Sequence, residues 1–309
     1  MGKKEKKEVI RYSENLDKNL KKLQEQIINV KPDIGNYRFF IVRDPKLREI
    51  CSPSFKEMVL HHAIMNICEP VLDKYAIYNS YACRKGKGTV KAIQRCQEYV
   101  RQHKWYLKMD IKKYFDSINH NIAIQLLTHK FKEKSLITLF YKILDTYHKT
   151  PFKGVPIGNL ISQHLANFYL GPFDHWILEE QKKRYYIRYM DDFIVFGNCK
   201  KDLKELLEII QIYLFNKLDL KLKHTTQLNR TSIGIPFLGF RVFKGKILLT
   251  PTSKKRFIKK FKQYEHNYEM GIWDSQKLVQ HMEPLFAFVQ TADTLSFRKN
   301  VINRFGVLS

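Results

Sequence analysis

Two aspartates, Asp191 and Asp192, stand side by side inside the apolar and aromatic run Tyr185-Tyr186-Ile187-Arg188-Tyr189-Met190-Asp191-Asp192-Phe193-Ile194-Val195-Phe196-Gly197. Asp is disfavoured in strands and adjacent carboxylates repel, so the pair is a poor choice for folding and calls for something that neutralises it. A hard divalent cation would do so, and Mg2+ binds through one or two carboxylates plus substrate phosphates rather than inside an all-protein cage. A third acid, Asp110, closes the run Trp105-Tyr106-Leu107-Lys108-Met109-Asp110. If it lies beside the Met190-Asp191-Asp192 bend, the site can hold two Mg2+ ions. One would polarise an attacking 3′-hydroxyl and the other stabilise a leaving pyrophosphate, the chemistry of nucleotidyl transfer. Each piece also has a plainer reading, a solvated turn for Asp191-Asp192 and a helix cap for Asp110. Asp116 reads as structural or capping, and His61, His62, His148 and His164 lack metal-ligand spacing and read as core or surface residues.

The elements that must bring the acids together follow from periodicity. The aspartate run reads as two short strands joined at Met190-Asp191-Asp192, and residues 105–111 as a strand leading into a turn and a helix through Tyr114-Phe115-Asp116-Ser117-Ile118. Residues 159–178 predict one helix; Leu203, Leu206, Leu207, Ile210 and Leu214 predict another with a core-facing stripe, followed by a strand over 218–223. This order predicts an antiparallel sheet covered by helices on one face. Upstream, Tyr12, Leu16, Leu20, Leu23 and Ile27 predict a single amphipathic helix ending before Pro32. Residues 37–50 predict a hairpin with a basic tip, and Phe55, Val59, Ala63, Ile67 and Val71 give residues 53–75 a helical period. Residues 81–88 predict a flexible basic loop whose Gly86 and Gly88 let backbone approach a phosphate. Downstream, 236–243 and 246–249 predict a hairpin about Lys244-Gly245. The helical tail from Ser253 gathers Lys254, Lys255, Arg256, Lys259, Lys260 and Lys262 without an acid, a face for tracking a duplex backbone.

Composition narrows the partner. At 309 residues, 44% hydrophobic and 28% charged, the chain is globular, one large domain or two to three lobes sharing a core. Its 55 Lys and Arg against 30 Asp and Glu give a formal charge of +25, which implies a polyanion. Aromatics at 13% favour nucleic acid over an acidic membrane, because bases stack on rings. Cys51, Cys68, Cys83, Cys96 and Cys199 have no zinc-type or redox-type spacing and read as reduced, buried thiols. With no signal-like segment, no apolar run near the ~18 residues that span a bilayer, and no Ser or Thr among Lys3 to Lys7 to support myristoylation at Gly2, the expected location is intracellular and cytoplasmic, with no membrane partner.

Asp110 with Phe115, then Tyr189-Met190-Asp191-Asp192, then Phe237-Leu238-Gly239-Phe240 resemble, in order, the catalytic strand, the YxDD hairpin and the primer-grip hairpin of reverse transcriptases, over about residues 37 to 250. The resemblance implies an α+β right-hand polymerase. Residues 1–104 would hold an N-terminal helix and part of the fingers. Residues 105–250 would form a palm with inserted fingers elements and the primer grip, and 251–309 a short, basic helical thumb. It implies RNA-directed DNA polymerisation from dNTPs, with Asp110, Asp191 and Asp192 catalytic and two Mg2+ ions at Asp110, Ile111, Asp191 and Asp192. Lys46 and Arg48 fall where fingers cations bind the triphosphate, with Arg43 an alternative, and Arg84 is a further fingers contact. Gly158 and Gln163 join Phe115 about the nucleotide. A ring five residues after the first aspartate would collide with a ribose 2′-hydroxyl, where viral RNA-dependent RNA polymerases place a second aspartate, so Phe115 points to deoxynucleotides.

The segment Pro156-Ile157-Gly158-Asn159-Leu160-Ile161-Ser162-Gln163, followed by Ala166-Asn167, departs from the Gln-Gly-x-x-x-Ser-Pro of most bacterial reverse transcriptases: Ile157 replaces the Gln and Gln163 the Pro. This form looks like the enzymes of diversity-generating retroelements. The Val-Thr-Gly thumb triplet and the Asn-Ala-x-x-His element of retrons are missing, and the short thumb is expected to leave no space for a maturase, endonuclease or RNase H domain. That resemblance implies copying of a template-repeat RNA into cDNA with misincorporation opposite adenines, followed by replacement of a variable repeat. The implied partners are the template RNA, the RNA–cDNA duplex and an oligomeric accessory variability protein. Ile157 and Gln163 become fidelity positions, since Ile cannot reject a misaligned nucleotide by leaving a polar group unpaired. Two rivals remain, an antiphage or other retroelement reverse transcriptase and a non-catalytic RNA-binding scaffold. Against the scaffold, all three aspartates are present.

Overall fold

The computed structural model describes residues 6–43 and 47–306. Helices α1 (Lys7–Ser13) and α2 (Leu16–Ile28) divide what periodicity predicts as one helix, because Asn15 leaves helical geometry at the head of α2 (φ −125°, ψ 43°). Strands β1 (Tyr37–Arg43) and β2 (Leu47–Pro53) pair antiparallel, Tyr37 opposite Pro53 and Arg43 opposite Leu47. The expected basic tip, including Lys46, lies outside the described residues. In α3 (Phe55–Tyr75), capped by the Ser54 hydroxyl, the buried side is Leu60, Ile64, Met65, Cys68 and Leu72, whereas Ile67 and Val71 of the expected stripe are exposed. The apolar residues on this helix cover more than one face, and the sequence stripe picks the wrong one.

Helix α4 (Thr89–Gln102) precedes β3 (Trp105–Asp110), after which come the short α5 (Tyr114–Ser117), α6 (His120–Lys130) and α7 (Lys134–Asp145). The single helix expected over 159–178 is α8 (Leu160–Tyr169), α9 (Gly171–His175) and a π-helical turn, Trp176–Glu180. The interruption falls at Gly171-Pro172, since proline supplies no N–H to continue α8. Then follow β4 (Tyr186–Tyr189), β5 (Asp192–Gly197), α10 (Lys200–Leu218) and β6 (Gln227–Arg230). Residues 218–223 are not the expected strand: Leu218 ends α10, Asp219 turns left-handed at φ 53°, and only Leu222 bridges, to Ile111. The remaining elements are β7 (Ile235–Phe237), β8 (Phe240–Val242), β9 (Ile247–Leu249), α11 (Pro251–Glu269), α12 (Ser275–Gln290) and α13 (Leu295–Phe305). The first half of the expected 236–249 hairpin is itself a tight hairpin. Phe237 pairs with Phe240 across Leu238 and Gly239, both at positive φ (50° and 88°).

The central sheet, ordered β4-β5-β3-β6, is antiparallel throughout. Successive residues of a strand face opposite sides. Leu107, Met109, Phe193, Val195 and Tyr186 enter a core shared with α3 and with α6 to α10. Tyr106, Ile187, Ile194 and Phe196 enter a second core with α4, with β7 to β9 and with the C-terminal helices, through Phe257, Phe261, Val289 and Val301. The sheet is therefore covered on both faces, not one, which is why its strands are apolar at consecutive positions. No described helix is long and apolar enough to cross a membrane. Cys51, Cys68 and Cys96 are buried, but Cys83 and Cys199 are exposed, against the expectation that all are buried.

Candidate active site

Pairing of β3 with β5 puts Asp110 opposite Asp192, and pairing of β4 with β5 puts Tyr189 opposite Asp192, so Met190 and Asp191 form a two-residue turn at the end of the sheet. Met190 is left-handed (φ 55°), a conformation that costs an L-residue about 1–2 kcal/mol. The Arg188 guanidinium, fully buried beneath, holds the turn. It donates to the Met190 carbonyl (3.1 Å), to the Asn167 side chain (2.8 Å) and carbonyl (3.0 Å), and through Nε to Asp174 Oδ1 (2.7 Å). Asp174, equally buried, pairs with Arg188 and accepts from the Tyr186 hydroxyl at 2.7 Å. From the other side the Ile111 N–H donates to the Asp191 carbonyl at 3.3 Å.

Three carboxylates and two ammonium groups meet at this end. Lys223 Nζ donates to Asp110 Oδ1 at 2.6 Å, and Lys108 Nζ lies 2.6 Å from Asp192 Oδ1. Burial, reinforced by the neighbouring Asp110 charge, pushes the Asp191 carboxyl up to about 6. Burial also pushes Asp192 up to about 6 although Lys108 opposes it. Among the described residues no three His, Cys, Asp or Glu side chains form a ready-made metal cage. A cation that keeps water and substrate phosphates among its ligands needs only one or two carboxylates, and the mutually repelling Asp110 and Asp191 fit that need. Asp192 is turned toward Lys108, and the Ile111 side chain is fully buried in the core, so the group this residue could offer an ion is its backbone carbonyl.

The other expected site residues divide. Phe115 is half-buried in α5, edge-on to Tyr114 at 6.0 Å, and its carbonyl accepts from Val155 N–H at 2.9 Å. The Ile157 carbonyl accepts from the Cys51 N–H of β2 at 2.8 Å. At Gly158 (φ 107°) a Cβ would stand 2.7 Å from Ile50 Cγ2, so only glycine lets β2 approach this closely. Gln163 accepts from the Cys83 thiol at 3.6 Å, and Arg48 is exposed on β2. Arg84, expected as a fingers contact in a flexible basic loop, is engaged within the chain. Its donors go to Asp73 Oδ1 (2.5 Å) and to the carbonyls of Ile77 (2.6 Å), Ser80 (3.0 Å) and Asp73 (3.3 Å), which clamp residues 76–88 onto α3, so the predicted flexible loop is ordered.

Phe237 and Phe240 are buried, and the Gly239 carbonyl between them accepts from the Ser253 hydroxyl at 2.7 Å, tying the turn at Leu238 to the head of α11. On α11 the basic run does not form one face. Lys254 lies over the Phe297 ring (5.6 Å), Arg256 and Lys260 line a groove against α12, and Lys255 and Lys259 are exposed. Consecutive helical residues are 100° apart, so six cations in nine positions must spread round the helix. The sequence reading gives no role to Arg188, Asp174, Asn167, Lys108 or Lys223. For Arg188 a signal existed, a lone cation within an apolar strand. For the two lysines there was none in so basic a chain.

The family described as reverse transcriptase (RNA-dependent DNA polymerase) matches residues 30–242. Similar proteins include the group II intron-encoded protein LtrA of Lactococcus lactis subsp. cremoris, 24% identical over 267 residues, 64% of this chain and 44% of that one. Protein YkfC of Escherichia coli is 23% identical over 243 residues, 64% of each. Among solved structures, apo telomerase from Candida tropicalis superposes with a TM-score of 0.57 at 13% identity, covering 87% of this chain and 59% of that one, a likeness of fold. The chain spans less than two-thirds of the length of these relatives.

Proposed function

The chain belongs to the reverse transcriptase family, and we propose that it is an RNA-directed DNA polymerase whose reaction centre is Asp110, Asp191 and Asp192. The observation that carries this reading is the β3–β5 register, which sets Asp110 opposite Asp192 and beside the turn bearing Asp191. In the reaction the primer 3′-hydroxyl attacks the α-phosphorus of a dNTP, the α–β anhydride bond breaks, and pyrophosphate leaves. Asp110 and Asp191 would hold divalent cations, Mg2+ by preference, which polarise the hydroxyl and neutralise the leaving group when bound. Lys223 orients Asp110, Lys108 orients Asp192, and Arg188 fixes the turn between them. Phe115 closes the sugar side against a 2′-hydroxyl, and Ile157 and Gly158 hold β2, which carries Arg48, over the nucleotide. Residues 1–104, 105–250 and 251–309 serve as fingers, palm and thumb, and the exposed lysines of α11 contact the duplex backbone. Primer extension on an RNA template with Mg2+ tests the assignment. Asp191→Ala should abolish it, and normal extension by that variant would refute the site.

The finer reading is mutagenic copying of a template-repeat RNA in a diversity-generating retroelement, aided by an oligomeric accessory protein. It is supported by the apolar Ile157 and by Gln163 at the head of α8. Ile157→Gln should lower misincorporation opposite template adenines, and an unchanged error spectrum would remove this motif from the explanation. Likeness to the intron-encoded LtrA favours a second reading, a group II intron-type enzyme. Near-identical flanking repeats that differ at adenines would decide for diversification.

A further inference from the structure

The central sheet has two ends, and the carboxylates occupy one of them. At the other, Trp105 opens β3 opposite Gly197 of β5 and Arg230 of β6, and the Phe196 N–H donates at 2.9 Å to the Tyr185 carbonyl just ahead of β4. Trp105 lies five residues before Asp110, so the two ends stand roughly 17 Å apart at the rise of a strand. Every strand carries an exposed cation at or near this far end: Arg184 two residues before β4, Lys200 three after β5, Lys104 one before β3, and Arg230 closing β6. With the order β4-β5-β3-β6 and neighbouring strands about 4.8 Å apart, the four strand ends form a row on the order of 14 Å across.

Two of these cations rest on a ring. Lys200 Nζ lies 5.4 Å and the Arg230 guanidinium 5.2 Å from the centre of Trp105, contacts that hold them at the sheet end without cancelling their charge. The Lys104 N–H donates to the Asn198 side chain at 3.1 Å, which fixes the turn after β5 against the head of β3. Trp105 packs on the core shared with α10, whereas Tyr185 takes the other face, its ring 4.0 Å from that of His103 and edge-on to Tyr99 at 5.2 Å, and it remains 40% exposed. Residues 182–184 are Lys-Lys-Arg and residues 200–201 Lys-Lys, and the nearest acids along these two segments are Glu180 and Asp202. Among the described residues none of Lys104, Arg184, Lys200 and Arg230 is paired with a carboxylate.

Resting on the polymerase reading for its choice of RNA, we propose that this end of the sheet is a second nucleic-acid site, which holds single-stranded RNA by its backbone outside the stretch being copied. Repulsion among unpaired cations set in a row is relieved by a polyanion whose own charges are set in a row. The exposed Tyr185 ring beside them selects among polyanions, because a base stacks on it and a run of carboxylates cannot. At roughly 17 Å from the aspartates, the row is out of reach of the nucleotide under reaction. A flanking strand held there keeps the template on the protein while the primer end advances.

The test uses the full-length protein saturated with a short unlabelled RNA–DNA primer–template hairpin, so that the cleft is filled, and follows a labelled oligouridine of about 16 nucleotides by fluorescence anisotropy. The variant Lys104→Gln/Arg184→Gln/Lys200→Gln/Arg230→Gln should bind it roughly tenfold or more weakly, with the slope of log affinity against log salt shallower by about 2.8, four phosphates at about 0.7 each. Tyr185→Leu should weaken it roughly fivefold or more. In both variants the KM for the short hairpin should be unchanged, and the urea midpoint serves as the control for folding. Unchanged oligouridine affinity and salt slope would overturn the proposal, and so would an equal loss for the short hairpin, which would put the row inside the cleft. Displacement of the oligouridine by polyglutamate as readily as by unlabelled RNA, with Tyr185→Leu silent, would reassign the surface to an acidic protein. If Asp191→Ala left extension intact while the row variant still lost oligouridine, the polymerase reading would fail and the RNA site would stand; the converse pair of results would sink the RNA site alone.

Discussion

Asp174→Asn is the sharpest test of how the catalytic turn is held. The substitution keeps shape and removes one charge, leaving the fully buried Arg188 guanidinium without its counter-ion while its bonds to Asn167 and Met190 remain. Breaking one side of a buried ion pair costs about 3–5 kcal/mol, against a total stability of about 5–15 kcal/mol. Urea unfolding of the metal-free protein should show that loss as a lower midpoint with an unchanged slope. Replacing both partners, Asp174→Leu with Arg188→Met, removes both buried charges and should recover much of the stability. It should not recover primer extension, because methionine cannot donate to the Met190 carbonyl that sits in a left-handed turn. A single variant that loses less than about 1 kcal/mol, or a double variant no more stable than the single, would refute the view that this pair is a buried clamp under the site.

Gly158→Ala would set a Cβ 2.7 Å from Ile50 Cγ2 and 3.2 Å from the Cys51 carbonyl at φ 107°. It should cost about 1–3 kcal/mol and raise the dNTP KM, and an unchanged melting temperature would contradict the close approach of β2. Phe115→Ala should narrow the dNTP-over-NTP ratio of kcat/KM by roughly 10–200-fold, measured with matched nucleotide pairs; an unchanged ratio would remove the ring from sugar selection. The pH dependence follows from Asp191 and Asp192, whose carboxyls the fold raises to about 6. A raised acid penalises the fold when ionised, so the penalty is complete above about 6 and is relieved as pH falls toward the unfolded value near 4. In chelator the protein should melt higher at about pH 5 than at about pH 8, with Asp191→Asn and Asp192→Asn each flattening the difference. A flat profile in the unsubstituted protein would show these carboxyls are not raised.

What could be read from sequence was what stands out against its surroundings. Asp191-Asp192 and Asp110 break apolar runs, so their positions at strand ends were legible, as was the β1–β2 hairpin. Helices α4, α6 and α7 were passed over, and on α3 the stripe through Ile67 and Val71 was misleading because apolar residues occur on several of its faces. The second layer over the sheet was missed for a related reason. Consecutive apolar residues in β5 fit a strand under helices on one side as well as one buried on both, and only the partners decide. Arg84 looked like a free fingers cation because no local pattern shows that Asp73, eleven residues earlier, folds back to meet it. Lys108 and Lys223 are invisible in a chain with 55 basic residues, since what singles them out is a 2.6 Å contact and not a pattern.

The double cover explains why the acids sit where they do. Along the face of β3 and β5 that carries Asp110 and Asp192, the next residues are Lys108 and Ile194, then Tyr106 and Phe196, and these last three hydrophobes are packed beneath α4 and β7 to β9. A carboxylate moved two residues inward would be enclosed by that layer and would lose its hydration without reaching a substrate, a cost of several kcal/mol for an unpaired ion. At the strand ends the cover stops, so Asp110 and Asp191 remain close enough to disturb one another yet open to a phosphate-bearing ligand. Lys108 takes the first buried step as a cation, its stem along the sheet and its ammonium on Asp192, which marks the boundary between the packed and the reactive parts of one face.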